Sequence, residues 1–561
     1  LNLADIDKNL NAERYFDAIM QIQPLLNTLN VSPESESLSK QENSLTHEQE
    51  LLSRLVYSLL SLGMGIQAAP HVIRLAQLQE LSCKPEVAIK TLQQGIDSDP
   101  DNAQLMLHAG LFQQRQQRFQ DAQRCFERVL ALEPGNKSAL TNLGNVFRDL
   151  KMPEQAEKAY KTALAIDPGL VECRNNYGIF LQDQHRYSES CQQLEGVTKL
   201  SPEFTAAWLN LGTALMQLQQ YRRAELCFRK ALQLDSEYSR ARSNLGMCLL
   251  MQGRLAEGWK HYEARYQLET RSRIKPPAFP VPQWKGESLT GKKLLVWPEQ
   301  GLGDQIMCAG WLKALKQSAG VSHLVLACAN SLVSLFRRLE GVDTVVSIKD
   351  AMPLCDYWIG AMSVPFALNQ LCSADVAAQQ TTISPWLKAE NRWLPEVLKK
   401  PRSSHQRPVR IGLCWKGSTA YHGDALRSFT LDVYDPLLDV NGVEFLTLLP
   451  DTRTEFLAWA GTSGIDIGHE IDADTPAFEE TAAIMQQLDL IVTSDTSIAH
   501  LAASLGRTVC VLLNFAGEWR WVAHPSANLP QINVLRQSEM GDWASLVQKI
   551  TEKLRVKIGN K

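Results

Sequence analysis

No run in this sequence approaches the ~18 consecutive apolar residues that a membrane-spanning helix needs. Its first residues, LNLADIDKNL, lack the basic and apolar regions of a secretory signal. The expectation is a cytoplasmic protein, short of a few residues ahead of Leu1 because no initiator Met is present. The twelve cysteines contain no C-x-x-C pair, which argues against a zinc ribbon or a disulfide framework and fits reduced thiols. Excess charge is absent too. With 57 Lys and Arg against 61 Asp and Glu the net charge is −4, without the strongly basic balance of a nucleic-acid-binding domain. Neither nucleic acid nor a membrane is therefore an expected partner.

What the sequence does have is a period. At 561 residues it is long enough for several domains. Prolines recur at Pro100, Pro134, Pro168 and Pro202, and glycines at Gly144, Gly178, Gly212 and Gly246, each step being 34 residues. Small residues (Ala88, Ala122, Ala156, Ser190, Ala224, Gly258) and large ones (Leu92, Phe126, Tyr160, Leu194, Phe228, Tyr262) keep the same register. Small residues let paired helices approach, large ones fill the neighbouring groove, and proline stops the helix that closes each unit. The pattern resembles the tetratricopeptide repeat. Six units fit between residues 67 and 270, behind a helical cap over 1–66 in which VSPESESLSKQENS reads as a polar loop. Asn142, Asn176, Asn210 and Asn244 form a further column in this register. An amide both donates and accepts, so such a ladder suits the backbone of an extended peptide. It also suits a repeat consensus that binds nothing. The ladder resembles that of the eukaryotic protein O-linked N-acetylglucosamine transferases.

The helical register ends near residue 270. RIKPPAFPVPQW, with four prolines, reads as an extended linker over 271–290. A chain starting near Arg271 is then expected to bind its small substrate unaided. Beyond the linker, apolar runs alternate with helical stretches, the signature of parallel α/β layers. KLLVWP, HLVLACA and DTVVSI are strands of a first lobe over 291–400. VRIGLCW, EFLTLLP, LDLIVTSD and TVCVLLNF are strands of a second over 401–561, whose final helix is expected to fold back across the first lobe. The fold class is an α-solenoid followed by a two-lobed, Rossmann-like α/β unit.

EQGLGDQI (299–306) is not a dinucleotide fingerprint, because Ile306 stands where the third glycine is needed for helix and strand to pack closely. In TSDTSIAHLAASLG, Asp495 is placed to cap a helix whose first N–H groups, at Thr496 and Ser497, suit a nucleotide phosphate. His500 lies one turn on, on the same face, within reach of sugar or phosphate, or else packed in the core. Lys416 or Arg427, after VRIGLCW, would neutralise a leaving phosphate. Trp519 and Trp521 are packing residues, or one stacks on a base. Asp472 and Asp474 make a D-x-D, but Asp474 or Thr475 is better read as a helix cap, so no metal or other cofactor is expected. Glu480 is placed for a ribose hydroxyl.

EQGLGDQI, GLCWKGSTAYHGDALRSFTL, LDLIVTSDTSIAHLAASLGRTVCVLL and EWRW together resemble glycosyltransferase family 9, the heptosyltransferase family, which has the B-type glycosyltransferase architecture. With the repeats in front, the order resembles bacterial repeat-containing glycosyltransferases, some of which modify flagellin. The sequence departs from that family after EWRW, where VAHPSANLP replaces an aromatic-proline stretch. The resemblance implies a metal-independent, inverting transferase with Asp304 as base and Gly301, Gly303 and Gln305 on the donor side. It implies a nucleotide-sugar donor, either an ADP-heptose or a CMP-nonulosonic acid such as CMP-pseudaminic acid. The acceptor is a Ser or Thr of a polypeptide, flagellin among the candidates, held by the repeats. A glycan or lipid-linked acceptor, or a non-catalytic adaptor, are the alternatives.

Overall fold

The structure is a computed structural model that describes residues 3–29, 38–268, 278–371, 385–399, 407–418, 423–524 and 530–559. The loop around 31–37, the linker residues 271–277, and parts of the lobe connection and of VAHPSANLP lie outside them. The chain divides into two compact units, Leu1–Ala207 and Trp208–Lys561.

In the first unit, helices Leu3–Asn11, Tyr15–Leu29 and Leu38–Ser61 precede the repeats. The polar stretch expected as a loop is thus helical from Leu38 onward. Helix pairs then follow at the predicted period, for example Lys137–Asp149 with Pro153–Ile166. The glycine column explains their approach: a Cβ at Gly144 would sit 2.6 Å from the Tyr160 ring, and one at Gly178 would sit 2.7 Å from Leu194. Each glycine therefore faces the large residue 16 positions later, as the small/large register implied. Asn102 and Asn136 cap the helices that follow them, accepting from Leu105 N at 3.1 Å and Ala139 N at 2.9 Å.

The second unit contains the last repeats and two parallel sheets. The first sheet has the order β3-β2-β1-β4, with β1 Lys293–Trp297, β2 His323–Cys328, β3 Thr344–Ser347 and β4 Tyr357–Gly360. The second has the order β6-β5-β7-β8-β9, with β5 Val409–Cys414, β6 Val443–Thr447, β7 Leu490–Ser494, β8 Val509–Leu513 and β9 Ile532–Arg536. All seven expected strands form; β4 and β9 are additional. The final helix, Ala544–Gly559, packs within the second lobe and not across the first. Trp543, just before it, meets Phe429 at 4.8 Å, and the helix lies against the segments Leu431–Tyr434 and Asp435–Leu438 of the second lobe.

The described part of the stretch expected as a linker is not free of the fold. Residues 278–290 dock on the first sheet: Trp284 N donates to Trp358 O and Trp358 N to Pro282 O, while Phe279 packs on Trp297 and Trp358. The last repeat docks as well. Trp259, fully buried, meets Trp311 of the first lobe at 5.9 Å and Trp519 of the second at 5.4 Å. Arg265, 1% exposed, donates from Nε and Nη2 to Glu299, itself buried, at 2.9 and 3.0 Å. One repeat earlier, Gln219 Nε2 and Tyr221 Oη donate to the carbonyls of Phe515 and Ala516 at 2.7 and 3.0 Å.

Candidate functional site

Four strand ends meet, and ligands of parallel sheets gather at such carboxyl ends. β1 leads through Glu299–Gly301 into the helix Leu302–Ala309, and β5 leads into Trp415–Gly417. β7 leads through Asp495 into the helix Ser497–Ser504, and β8 leads into the short helix Trp519–Ala523. The two motif helices touch. A Cβ at Gly303 would lie 2.7 Å from His500 Cδ2 and 3.5 Å from Ser497 Cα, so the missing side chain is what lets GLGD approach the other helix. Trp386 and Leu387 add to the seam: both donate backbone N–H to Ser504 O, and Trp386 Nε1 donates to Ile306 O. Farther along the seam, Arg338 of the first lobe pairs with the fully buried Glu479 of the second at 2.7 Å.

Asp304 does two things at once. Its Oδ2 accepts from Gly301 N at 3.0 Å, which caps its own helix, and its Oδ1 accepts from Arg520 Nε at 2.5 Å. Arg520 also donates to Glu518 at 2.7 Å and to Gln300 Oε1, and lies 4.6 Å over the Trp519 ring. Burial opposes the Arg520 charge, but Asp304 and Glu518 outweigh it and hold the guanidinium protonated. Burial pushes the Glu518 carboxyl up, against the pull of Arg520.

Asp495 does not cap by its side chain; Thr496 occupies the cap position without a side-chain bond, its hydroxyl turned inward to Cys414 and Thr493. The Asp495 carboxylate instead accepts from Trp521 Nε1 at 2.7 Å, and its carbonyl accepts from Arg427 Nη1 at 2.9 Å. Burial raises the Asp495 pKa, with the Trp521 bond opposing. Arg427 is thus fixed at the start of the Ser497–Ser504 helix, steadied by buried Asp424 at 3.0 Å. Gly417 accommodates this pair, since a Cβ there would fall 2.7 Å from Arg427 Nη2.

His500 is packed. It stacks on Trp521 at 4.7 Å and on His524 at 5.2 Å, and burial lowers its pKa to about 4, so it is neutral at physiological pH. Its Nδ1, and the fully buried Ser494 Oγ, have no hydrogen-bond partner among the described residues.

Several expected residues serve elsewhere. Gln305 is buried, and its Oε1 accepts from Ala329 N at 2.9 Å, fixing the end of β2. Glu480 is not open to a ribose: it accepts from His469 Nε2 at 2.6 Å and Asp472 N at 2.8 Å. Asp472, and neither Asp474 nor Thr475, caps the helix Glu479–Met485, accepting from the N–H groups of Glu480 and Thr481. Trp519 is buried against Trp259 and Tyr262 and presents no face to a base. Lys416 is 45% exposed, 3.8 Å from Glu455. No group of three His, Cys, Asp or Glu suited to a metal occurs among the described residues.

In the asparagine column, Asn142, Asn176, Asn210 and Asn244 are each half-buried on the first helix of a repeat. Asn176 Oδ1 accepts from Asn175 at 3.4 Å, and Asn244 Nδ2 donates to Thr213 at 3.2 Å. Arg520 and Gln300 are the residues that the sequence reading missed. The signal for Arg520 is the Glu-Trp-Arg-Trp run, in which an arginine lies between two aromatics, and that for Gln300 is its place directly before GLGD.

The tetratricopeptide repeat family is matched at residues 110–171 and 205–238. Protein FlbA of Caulobacter vibrioides (strain ATCC 19089 / CIP 103742 / CB 15) is 25% identical over 328 residues, 55% of this chain and 53% of the relative. The chain thus spans about half the length of the curated relative it matches. Among solved structures, pilF of Pseudomonas aeruginosa is 25% identical over 30% of this chain and 78% of that one, with a TM-score of 0.29. TTC0263, a thermophilic TPR protein in Thermus thermophilus, is 14% identical over 33% and 100%, with a TM-score of 0.30. No described helix is long and apolar enough to cross a membrane. The chain carries tetratricopeptide repeats in its helical part, which continues into a parallel α/β region.

Proposed function

We propose that the protein is a B-type glycosyltransferase that moves a sugar from a nucleotide donor to a Ser or Thr hydroxyl of a polypeptide recruited by its repeats. The observation that carries this reading is the apposition of Asp304 with the start of the Ser497–Ser504 helix and Arg427, at the carboxyl ends of two facing parallel sheets. Acceptor hydroxyls ionise far above neutral pH, so attack on an anomeric carbon benefits from a positioned base. In this reading the Asp304 carboxylate takes the hydroxyl proton as the new C–O bond forms. The bond from the anomeric carbon to phosphate breaks, and the phosphate oxygen receives the electron pair. The helix N-terminus and Arg427 stabilise that charge without a metal.

A CMP-nonulosonic acid is the donor we favour, and flagellin the kind of acceptor, both from the resemblance of the motifs. Asp304→Asn should lower transfer ~10²–10⁴-fold while nucleotide binding persists, because the amide keeps the shape but takes no proton. Wild-type turnover in that variant would remove Asp304 from the chemistry. For the repeats, each Asn→Ala should weaken acceptor capture by ~0.5–1.5 kcal/mol if the amides grip a backbone. Testing Asn142 with Asn176, and separately Asn210 with Asn244, at limiting acceptor reads this out; unchanged capture in both would favour a glycan acceptor.

A further inference from the structure

We propose that the last repeat is a working part of the transfer site, and that Tyr262 is a positioning residue acting on Asp304 through Gln300 and Arg520. This rests on the reading of Asp304 as the transfer base. The three residues ahead of the GLGD helix are pinned one by one. Glu299 is clamped by Arg265 of the repeat segment and by Met362 N, which donates to it at 2.9 Å. Gln300 Nε2 donates to Tyr262 Oη at 2.7 Å. Gly301 N donates to Asp304. Two of these four anchors, Arg265 and Tyr262, therefore come from the repeat segment, and Met362 and Asp304 come from the lobe that carries the loop.

Gln300 is also held at φ +62°, a left-handed conformation unusual for a side-chain-bearing residue. Such a conformation persists where the surroundings over-determine it, and Gln300 has two partners that do so. With its amide nitrogen on Tyr262, its oxygen is left to accept from Arg520 Nη2, while Arg520 Nε donates to Asp304 Oδ1. The phenol thus fixes the amide, the amide orients the guanidinium, and the guanidinium holds the carboxylate. The Tyr262 ring, packed 5.4 Å from Trp519, places the phenol at that point, and Gly360 leaves room for the clamp beside it: a Cβ there would strike Tyr266 Oη and Glu299. The loop after β8, which carries Arg520, is gripped by the preceding repeat through Gln219 and Tyr221. Both loops that meet at Asp304 are therefore set by repeat residues.

Tyr262→Phe removes one oxygen and leaves the ring in place. In the full chain without any substrate, the urea midpoints of Tyr262→Phe, Gln300→Ala and the double variant should be non-additive. Additive shifts would overturn the relay whether or not the protein transfers sugar. In a transfer assay, Tyr262→Phe should lower kcat roughly 3- to 10-fold, the worth of one hydrogen bond, with donor KM unchanged. The double variant should be no slower than Gln300→Ala alone. Non-additive midpoints with unchanged kcat, or a changed donor KM in place of a lowered kcat, would overturn the positioning role. A wild type that turns over no nucleotide sugar would instead overturn the transfer reading, and the role with it, while the midpoints still report whether the residues are linked.

Discussion

At position 303 a single methyl group would collide with the His500 ring, which Trp521 and His524 hold in a three-ring stack. The ring cannot yield cheaply, so Gly303→Ala should cost ~1–3 kcal/mol in chemical denaturation, the usual range for overpacking. It should also weaken nucleotide binding, since the contact sets the approach of the two motif helices. His500 makes a separate, pH-dependent contribution. Its folded pKa of about 4 lies below the ordinary 6.5, so its contribution is complete above pH 6.5 and is lost as the pH falls toward 4. Burial and the neighbouring His500 lower His524 in the same direction. Asp495 and Glu518, raised by burial, act with the opposite sign. The difference between wild type and His500→Gln isolates the histidine. From pH 6.5 to 4 the wild type should lose up to about 3 kcal/mol more stability than the variant, and equal losses would contradict a buried neutral ring.

Among the elements, the repeats are built on a close helix approach that only the glycine column permits. The turn inside each helix pair carries a second column: Cys83, Gln117, Lys151, His185 and Gln219 all have φ between +57° and +61°, and Gly253 stands in the same place in the last repeat. Lys151→Gly should stabilise the first unit by ~0.5–1 kcal/mol, because relief of the left-handed conformation exceeds glycine's entropic cost; a loss of stability would contradict that. The sequence hid this column, since five of its six members are not glycine, whereas the small/large register was plain. Strands divided in the same way. Seven announced themselves as apolar runs because both sheet faces are covered. β4 is four residues, Tyr-Trp-Ile-Gly, too short to stand out, and β9 is an edge strand whose Asn533 and Val534 are exposed. GLGD and SDTSIAHL were legible as facing motifs because a strand, a turn and a helix start are local. Arg520 was not: nothing periodic marks a buried arginine, whose place is fixed by Asp304, 216 residues away in sequence. Glu480 and Gln305 misled for the related reason that a polar residue on a motif helix reads as ligand-facing until its tertiary partner is seen.

At the scale of the molecule, the last repeat packs on both lobes of the α/β region through Trp259 and on the first through Arg265. A chain starting near Arg271 would lose Arg265 and leave Glu299 buried without its cation, a change that typically costs ~3–5 kcal/mol. It would also strip Trp259 from Trp311 and Trp519. Such a chain should fail to fold cooperatively in circular-dichroism melts, while one starting near Trp208 should retain a melt; a stable, nucleotide-binding chain from Arg271 would contradict this. Sugar transfer at Asp304 is measured most directly by donor turnover, which needs no knowledge of the acceptor. The full chain is incubated with CMP-, ADP- and UDP-sugars, and nucleotide release is followed for wild type and Asp304→Asn. The prediction is release from a CMP-linked nonulosonic acid by the wild type, slowed ~10²-fold or more in the variant with binding retained. Equal release by the two proteins, or no binding and no release with any donor, would contradict it.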